Sequence, residues 1–151
     1  MAAERLASCH CGYLKLKCVG EPTKVSMCHC HDCQRRTGSA FSIAAFFERG
    51  SVELASGAPA TFTRDSASGF PVAFNFCRDC GTNLYWEPGR MPHLIGVAVG
   101  AFADPSFPQP EQSVWTDEKH AWIGLPDDMR TFALTSPPHP PAAVPPPLPR
   151  P

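Results

Sequence analysis

Cys28-His29-Cys30-His31-Asp32-Cys33-Gln34-Arg35-Arg36-Thr37-Gly38 places three thiols within six residues, interleaved with two histidines and a carboxylate. Free thiols at this density are a liability, because exposed thiolates oxidise and buried ones are desolvated. Holding a soft, borderline metal removes both problems, and zinc is the ordinary occupant of thiolate-rich sites. The question for the whole chain is whether such an ion is sealed for structure or left open for chemistry.

Working outward, two further cysteine pairs come into view: Cys9-His10-Cys11-Gly12 and Cys77-Arg78-Asp79-Cys80-Gly81. Cys-x-Cys and Cys-x-x-Cys are metal-ligand spacings. In an extended strand residues i and i+2 share a side, so Cys9 and Cys11 can face one ion. Two pairs supply the four ligands of a closed tetrahedral zinc, which assigns Cys9, Cys11, Cys77 and Cys80 to a structural ion. Cys28, Cys30 and Cys33 are left with three ligands and one open position, the arrangement of a catalytic zinc. Cys18, His29 and His31 are the candidates for closing that shell. Cys18 alternates with Leu14 and Leu16 and reads as a core thiol. In a locally extended segment His29 and His31 point away from the cysteines, and Asp32 hydrogen-bonds the loop or supports a ligand. His10 and His120 read as surface residues.

The chain has 151 residues, a net charge of -1 and 43% hydrophobic residues. These values predict one domain with a core large enough to fold alone. No basic patch extends beyond Arg35-Arg36, so nucleic acid is not expected as a partner. The apolar run from Leu94 to Ala103 is too short to span a bilayer. Met1-Ala-Ala-Glu-Arg-Leu is not a secretory signal, and a cytoplasmic location is expected.

The pattern predicts short strands throughout. Tyr13–Val19 alternates, with Lys15 and Lys17 opposite Leu14 and Leu16. Lys24–Met27 is a second strand, followed by a loop to Gly38. Buried or short strands are expected over Ser39–Phe47, Ser51–Ala55 and Ala60–Arg64, and across Val72, Phe74 and Phe76. Leu84 and Trp86 are expected on one face of the next strand and Tyr85 on the other. Leu94–Phe102 reads as a central strand, Asp104–Gln112 as irregular, Asp117–His120 as a helical turn, and Phe132 and Leu134 as a last strand. Tyr85, Trp86 and Trp115 read as core. Nine of the last fifteen residues are proline. Residues 1–136 are therefore expected to form the domain and 137–151 a disordered, polyproline-like tail.

Cys9-x-Cys11-Gly12, Cys28-His29-Cys30-x-x-Cys33-Gln34-Arg35-x-Thr37-Gly38-Ser39-Ala40-Phe41 and Cys77-x-x-Cys80-Gly81-Thr82-x-Leu84 together resemble the glutathione-dependent formaldehyde-activating (GFA) enzyme family, also called the CENP-V/GFA domain family. Asp104-Pro105 and Trp115, Trp122 and Leu125-Pro126-Asp127 extend the likeness. The resemblance implies a mainly β, Mss4-like zinc-containing fold of short antiparallel sheets. It implies two zinc ions divided as the count of ligands divides them. It also implies a carbon–sulfur lyase activity in which glutathione adds to formaldehyde to give S-(hydroxymethyl)glutathione. Small-molecule thiol and aldehyde are then the partners, and Arg35, Thr37 and Ser39 are candidate contacts to the carboxylates of the thiol. Arg36 reads as a solvated charge. Two alternatives stay open: a zinc-stabilised binding module without catalysis, and the same chemistry on a different thiol or carbonyl compound.

Overall fold

The structure is a computed structural model and describes residues 2–138. The proline-rich tail expected from residue 137 lies, from residue 139 onward, outside the described residues. The strands in chain order are β1 (Glu4–Ser8), β2 (Lys15–Val19), β3 (Lys24–Cys28), β4 (Ser42–Glu48), β5 (Val52–Ser56), β6 (Ala60–Asp65), β7 (Pro71–Phe76), β8 (Asn83–Pro88), β9 (Leu94–Ala98), β10 (Gln112–Val114) and β11 (Arg130–Thr131). Among the described residues one α-helix, α1 (His31–Thr37), stands between them. The fold is mainly β, as expected.

Two sheets form. β1, β2 and β5 make a small antiparallel sheet, and the other eight run in the order β11-β10-β3-β4-β9-β8-β7-β6. β10 lies parallel to both β3 and β11, so the large sheet is mixed rather than purely antiparallel. β9 sits between β4 and β8. It is shorter than expected, because the chain turns into a 3-10 helix over Val99–Phe102.

Strand alternation divides the large sheet between two environments. Ala45 and Phe47 on β4 and Ile95 and Val97 on β9 pack with Ala7, Leu14, Leu16 and Cys18 of the small-sheet side to form the main core. Cys18 is fully buried there, in the face it shares with Leu14 and Leu16. Ala44 and Phe46 alternate to the opposite face and pack with Phe74 and Trp86 in a second cluster. β8 breaks simple alternation. Its ladder to β7 pairs Asn75 with Tyr85 and Phe76 with Asn83, skipping Leu84. This bulge puts Leu84 and Tyr85 into the main core and turns Trp86 to the second cluster, correcting the expected pairing of Leu84 with Trp86.

Trp86 lies directly over β9. It pairs across the strands with Gly96, where an added Cβ would stand 2.4 Å from the indole nitrogen. Only glycine allows the ring to approach the backbone so closely.

Candidate metal centres and the adjoining cavity

The first thiol set bridges the two sheets. Cys9 and Cys11 follow β1, and Cys77 and Cys80 lie in the turn from β7 to β8. The turn is held by Cys77 N–H to Thr82 C=O (2.9 Å) and Gly81 N–H to Cys77 C=O (2.8 Å). The first loop is tied to it by His10 N–H donating to Thr82 Oγ1 at 3.1 Å. Cys9 Sγ is 3.6 Å from Cys11 Sγ, which is 3.7 Å from Cys77 Sγ. All four sulfurs lie within 4.8 Å of one another. Sulfurs around a common zinc at about 2.3 Å stand roughly 3.8 Å apart in a tetrahedron, so the donor set fits that ion. The Thr82 hydroxyl and backbone hold the Cys80 thiol down to about 5, which favours the ligating thiolate.

The second set is local. Cys28 ends β3, Cys30 caps α1, and Cys33 sits in its first turn. The sequence reading of this stretch as a loop is corrected here. Cys30 Sγ accepts the Cys33 backbone N–H at 3.3 Å, doing the work of a serine or aspartate cap. Gly38, with φ of 66°, closes the C-terminus by donating its N–H to Gln34 C=O. The three sulfurs lie within 4.8 Å of one another, and among the described residues no fourth Cys, His, Asp or Glu atom joins them. Cys28 and Cys30, with the Arg36 guanidinium after them, hold the Cys33 thiol down to about 3, while the same crowding of sulfurs pushes Cys28 up. Thiols this close cannot all ionise unaided, and a cation among them lets all three serve as thiolates.

His29 is fully buried and turned to Ser113, with Nε2 2.7 Å from Ser113 Oγ. Burial lowers its pKa. His31 is exposed, and its backbone N–H donates to Glu118 at 2.6 Å. Neither histidine belongs to the sulfur cluster. Asp32 pairs with Arg64 of β6 at 3.2 Å. Arg35 is exposed. Thr37 Oγ1 donates to Cys33 C=O at 2.8 Å and accepts the Ser39 N–H at 3.1 Å, finishing the helix end.

Cys28, Cys30 and Cys33 border a cavity of about 180 Å³, whose walls include Ala44, Phe46, Val72, Phe74, Trp86 and Trp115. Trp86 is both a buried member of the second cluster, as the sequence reading had it, and a cavity wall, whereas Trp115, expected in the core, is a half-buried cavity wall. Arg36 also lines this cavity. It is not a solvated charge. Its guanidinium stacks 4.4 Å from Trp86 and 4.9 Å from Phe74, and donates to Ser42 Oγ at 2.7 Å and Asn83 Oδ1 at 3.2 Å. Its Nε is buried without a hydrogen-bond partner. Helical spacing puts Arg36 on the same face as Cys33. That spacing was the only available signal, since its aromatic partners lie far along the chain. On the outer side of Arg36, residues Asp32, Arg35, Phe62 and Arg64 border a second depression.

A double-sheet β fold carries one four-thiol and one three-thiol set, the latter on a cavity, and each set could hold a thiophilic metal ion. The chain belongs to the glutathione-dependent formaldehyde-activating enzyme family, whose model matches residues 4–118. An uncharacterized lyase of Schizosaccharomyces pombe is 30% identical over 92 residues, covering 60% of this chain and 64% of that protein. The chain thus spans less than two thirds of that relative's length. The crystal structure of a Rhodobacter sphaeroides protein shares the fold, with a TM-score of 0.52 and 24% identity, over 66% of this chain and 91% of that one.

Proposed function

We propose that this chain is a lyase of carbon–sulfur chemistry that joins a small thiol, glutathione or a close analogue, to formaldehyde or another small carbonyl compound. The observation that carries the reading is the position of the three-thiol set at the wall of a cavity. The family and the lyase-named relative support it. Two zinc ions per chain fit the donor sets, with Cys9, Cys11, Cys77 and Cys80 holding a structural ion and Cys28, Cys30 and Cys33 a catalytic one.

A zinc ion at the three-thiol set would supply deprotonation of a thiol whose free pKa is about 8.5. The protein supplies the rest. Cys28, Cys30 and Cys33 present the binding position to the cavity, and the aromatic walls exclude water from it. As sulfur bonds to the carbonyl carbon, the carbonyl oxygen gains charge. Arg36 lines the same cavity and puts a positive charge beside it. Arg35, Thr37 and Ser39 are our candidates for contacts to the carboxylates of the thiol, and Arg35 of these borders the outer depression. A reducing compartment, the cytoplasm, suits so many free thiols.

The test is NMR exchange spectroscopy on glutathione, formaldehyde and the zinc-loaded full chain. Interconversion of aldehyde and adduct should run well above its spontaneous rate. A chain carrying two zinc ions with no acceleration would be the non-catalytic zinc module instead.

A further inference from the structure

The cavity beside Cys28, Cys30 and Cys33 is too large and too apolar for formaldehyde alone. Its volume is about 180 Å³. Formaldehyde has two heavy atoms and fills on the order of a third of that, at roughly 30 Å³ per water-sized unit. An apolar cavity of about 150 Å³ takes up a benzene ring.

Many of the polar groups in the wall are engaged with one another. Ser26 Oγ accepts from Gln112 at 3.1 Å. Ser42 Oγ accepts from Arg36. Ser66 and Ser68 bond each other at 2.6 Å, and Ser66 also donates to Phe70 C=O at 2.7 Å. Arg64 Nη1 is taken by Asp32 and by Asp65 C=O, and Arg90 bonds Thr135 and Ser136 C=O. The three sulfurs face the cavity and stay open for a ligand. Glutathione carries two carboxylates, an ammonium and two amides. Burying those against walls as apolar as Ala44, Phe46, Val72 and Phe74 costs several kcal/mol, so its body is better placed outside.

We infer that the cavity seats the carbonyl substrate, and that this substrate is an aldehyde with an aromatic or similarly bulky apolar body. The inference rests on the proposed thiol-addition chemistry. The ring packs among Phe46, Phe74, Trp86 and Ala44, its C=O reaches the sulfur face beside Arg36, and the polar body of the thiol stays outside, toward Arg35 and Arg64. In the reaction the thiol loses its proton, a sulfur–carbon bond forms, the π pair of the C=O moves to oxygen, and that oxygen takes a proton. The product is a hemithioacetal, and nothing is oxidised or reduced.

Two measurements on the zinc-loaded full chain test this. The first is ¹⁹F NMR titration with 4-fluorobenzyl alcohol, an unreactive probe, and saturable binding is expected. Ala44→Phe, which fills the cavity, should weaken that binding at least about tenfold. Val114→Phe, on a half-buried wall residue, should do the same and serves if Ala44→Phe does not fold. The second compares benzaldehyde with formaldehyde in the glutathione exchange assay. The ratio of enzymic to spontaneous rate should be about tenfold or more higher for benzaldehyde. Acceleration with formaldehyde but no saturable probe binding, or no advantage for benzaldehyde, overturns the inference and leaves the proposed function standing. No acceleration with either aldehyde overturns both.

Discussion

Cys11 and Cys77, neighbours in the four-thiol set, are 66 positions apart in the chain. Cys28, Cys30 and Cys33 occupy six consecutive residues. The first set joins the loop after β1, in the small sheet, to the turn between β7 and β8, in the large one. An ion held there would close a long loop and tie the sheets across the main core. The second set closes nothing: it caps a seven-residue helix and faces a cavity. On the proposed reading the same side chain serves two ends, a closed ion between distant segments and an open one at a local turn. An ion spanning distant segments would tie them together on folding, whereas one at the local turn would leave the rest of the chain to fold without it.

The sharpest way to break that comparison is to remove one sulfur from each set. Structural zinc contributes on the order of 10–16 kcal/mol in small peptides, against typical domain stabilities of roughly 5–15 kcal/mol. Cys80→Ala should leave the chain without a cooperative unfolding transition by circular dichroism. Cys30→Ala should keep the transition, lose one of two zinc ions by elemental analysis, and lose activity. Equal damage from both substitutions erases the distinction.

Next in size is Arg36. Lysine cannot stack on Trp86 and Phe74 while donating to both Ser42 and Asn83. Lost hydrogen bonds of a charged group are worth about 1.5–3 kcal/mol. Arg36→Lys should therefore slow the reaction roughly tenfold to a hundredfold, with zinc content unchanged. A wild-type rate would return Arg36 to the status of a surface charge.

Gly96→Ala tests how the cavity wall is seated. The new methyl group must displace the Trp86 indole, an overpacking that costs typically 1–3 kcal/mol. The thermal midpoint should fall and Trp86 fluorescence should shift, and an unmoved midpoint would mean the ring has slack.

Lys24 gives the smallest effect. It is nearly buried beside Phe46 and Met91, and burial, with Arg90 nearby, lowers its pKa from 10.5. Between the folded and unfolded pKa values the unfolded chain binds more protons, so this group's contribution to stability rises with pH there. Below the folded pKa it is a net cost. Lys24→Met should raise the midpoint of urea denaturation at neutral pH, by a margin that shrinks as pH approaches 10.5; an unchanged or lower midpoint would show the ammonium to be well compensated.

Much of the fold was legible in the sequence. Leu14, Leu16 and Cys18 show period-two alternation, and they are the buried face of β2 and its approach. Cysteine spacing announced both thiol sets, because ligand geometry is a local property. Helix α1 was hidden because its cap is a cysteine, a residue that sequence rules do not count among caps, and because seven residues give too few apolar positions for a period. The role of Arg36 was hidden for a different reason. Its stacking and hydrogen-bonding partners Phe74, Asn83 and Trp86 arrive from β7 and β8, and the β8 bulge that turns Trp86 toward it leaves no mark in the pattern. The parallel placement of β10 against β3 likewise depends on a crossover that three residues of strand cannot announce.

Zinc K-edge X-ray absorption on the full chain, before and after adding a small thiol, measures the unequal sharing of sulfur directly. With one four-thiol and one three-thiol ion the average should be about 3.5 sulfurs per zinc, rising to about 4 with thiol present. Four sulfurs per zinc at the outset, unmoved by thiol, would contradict an open second ion.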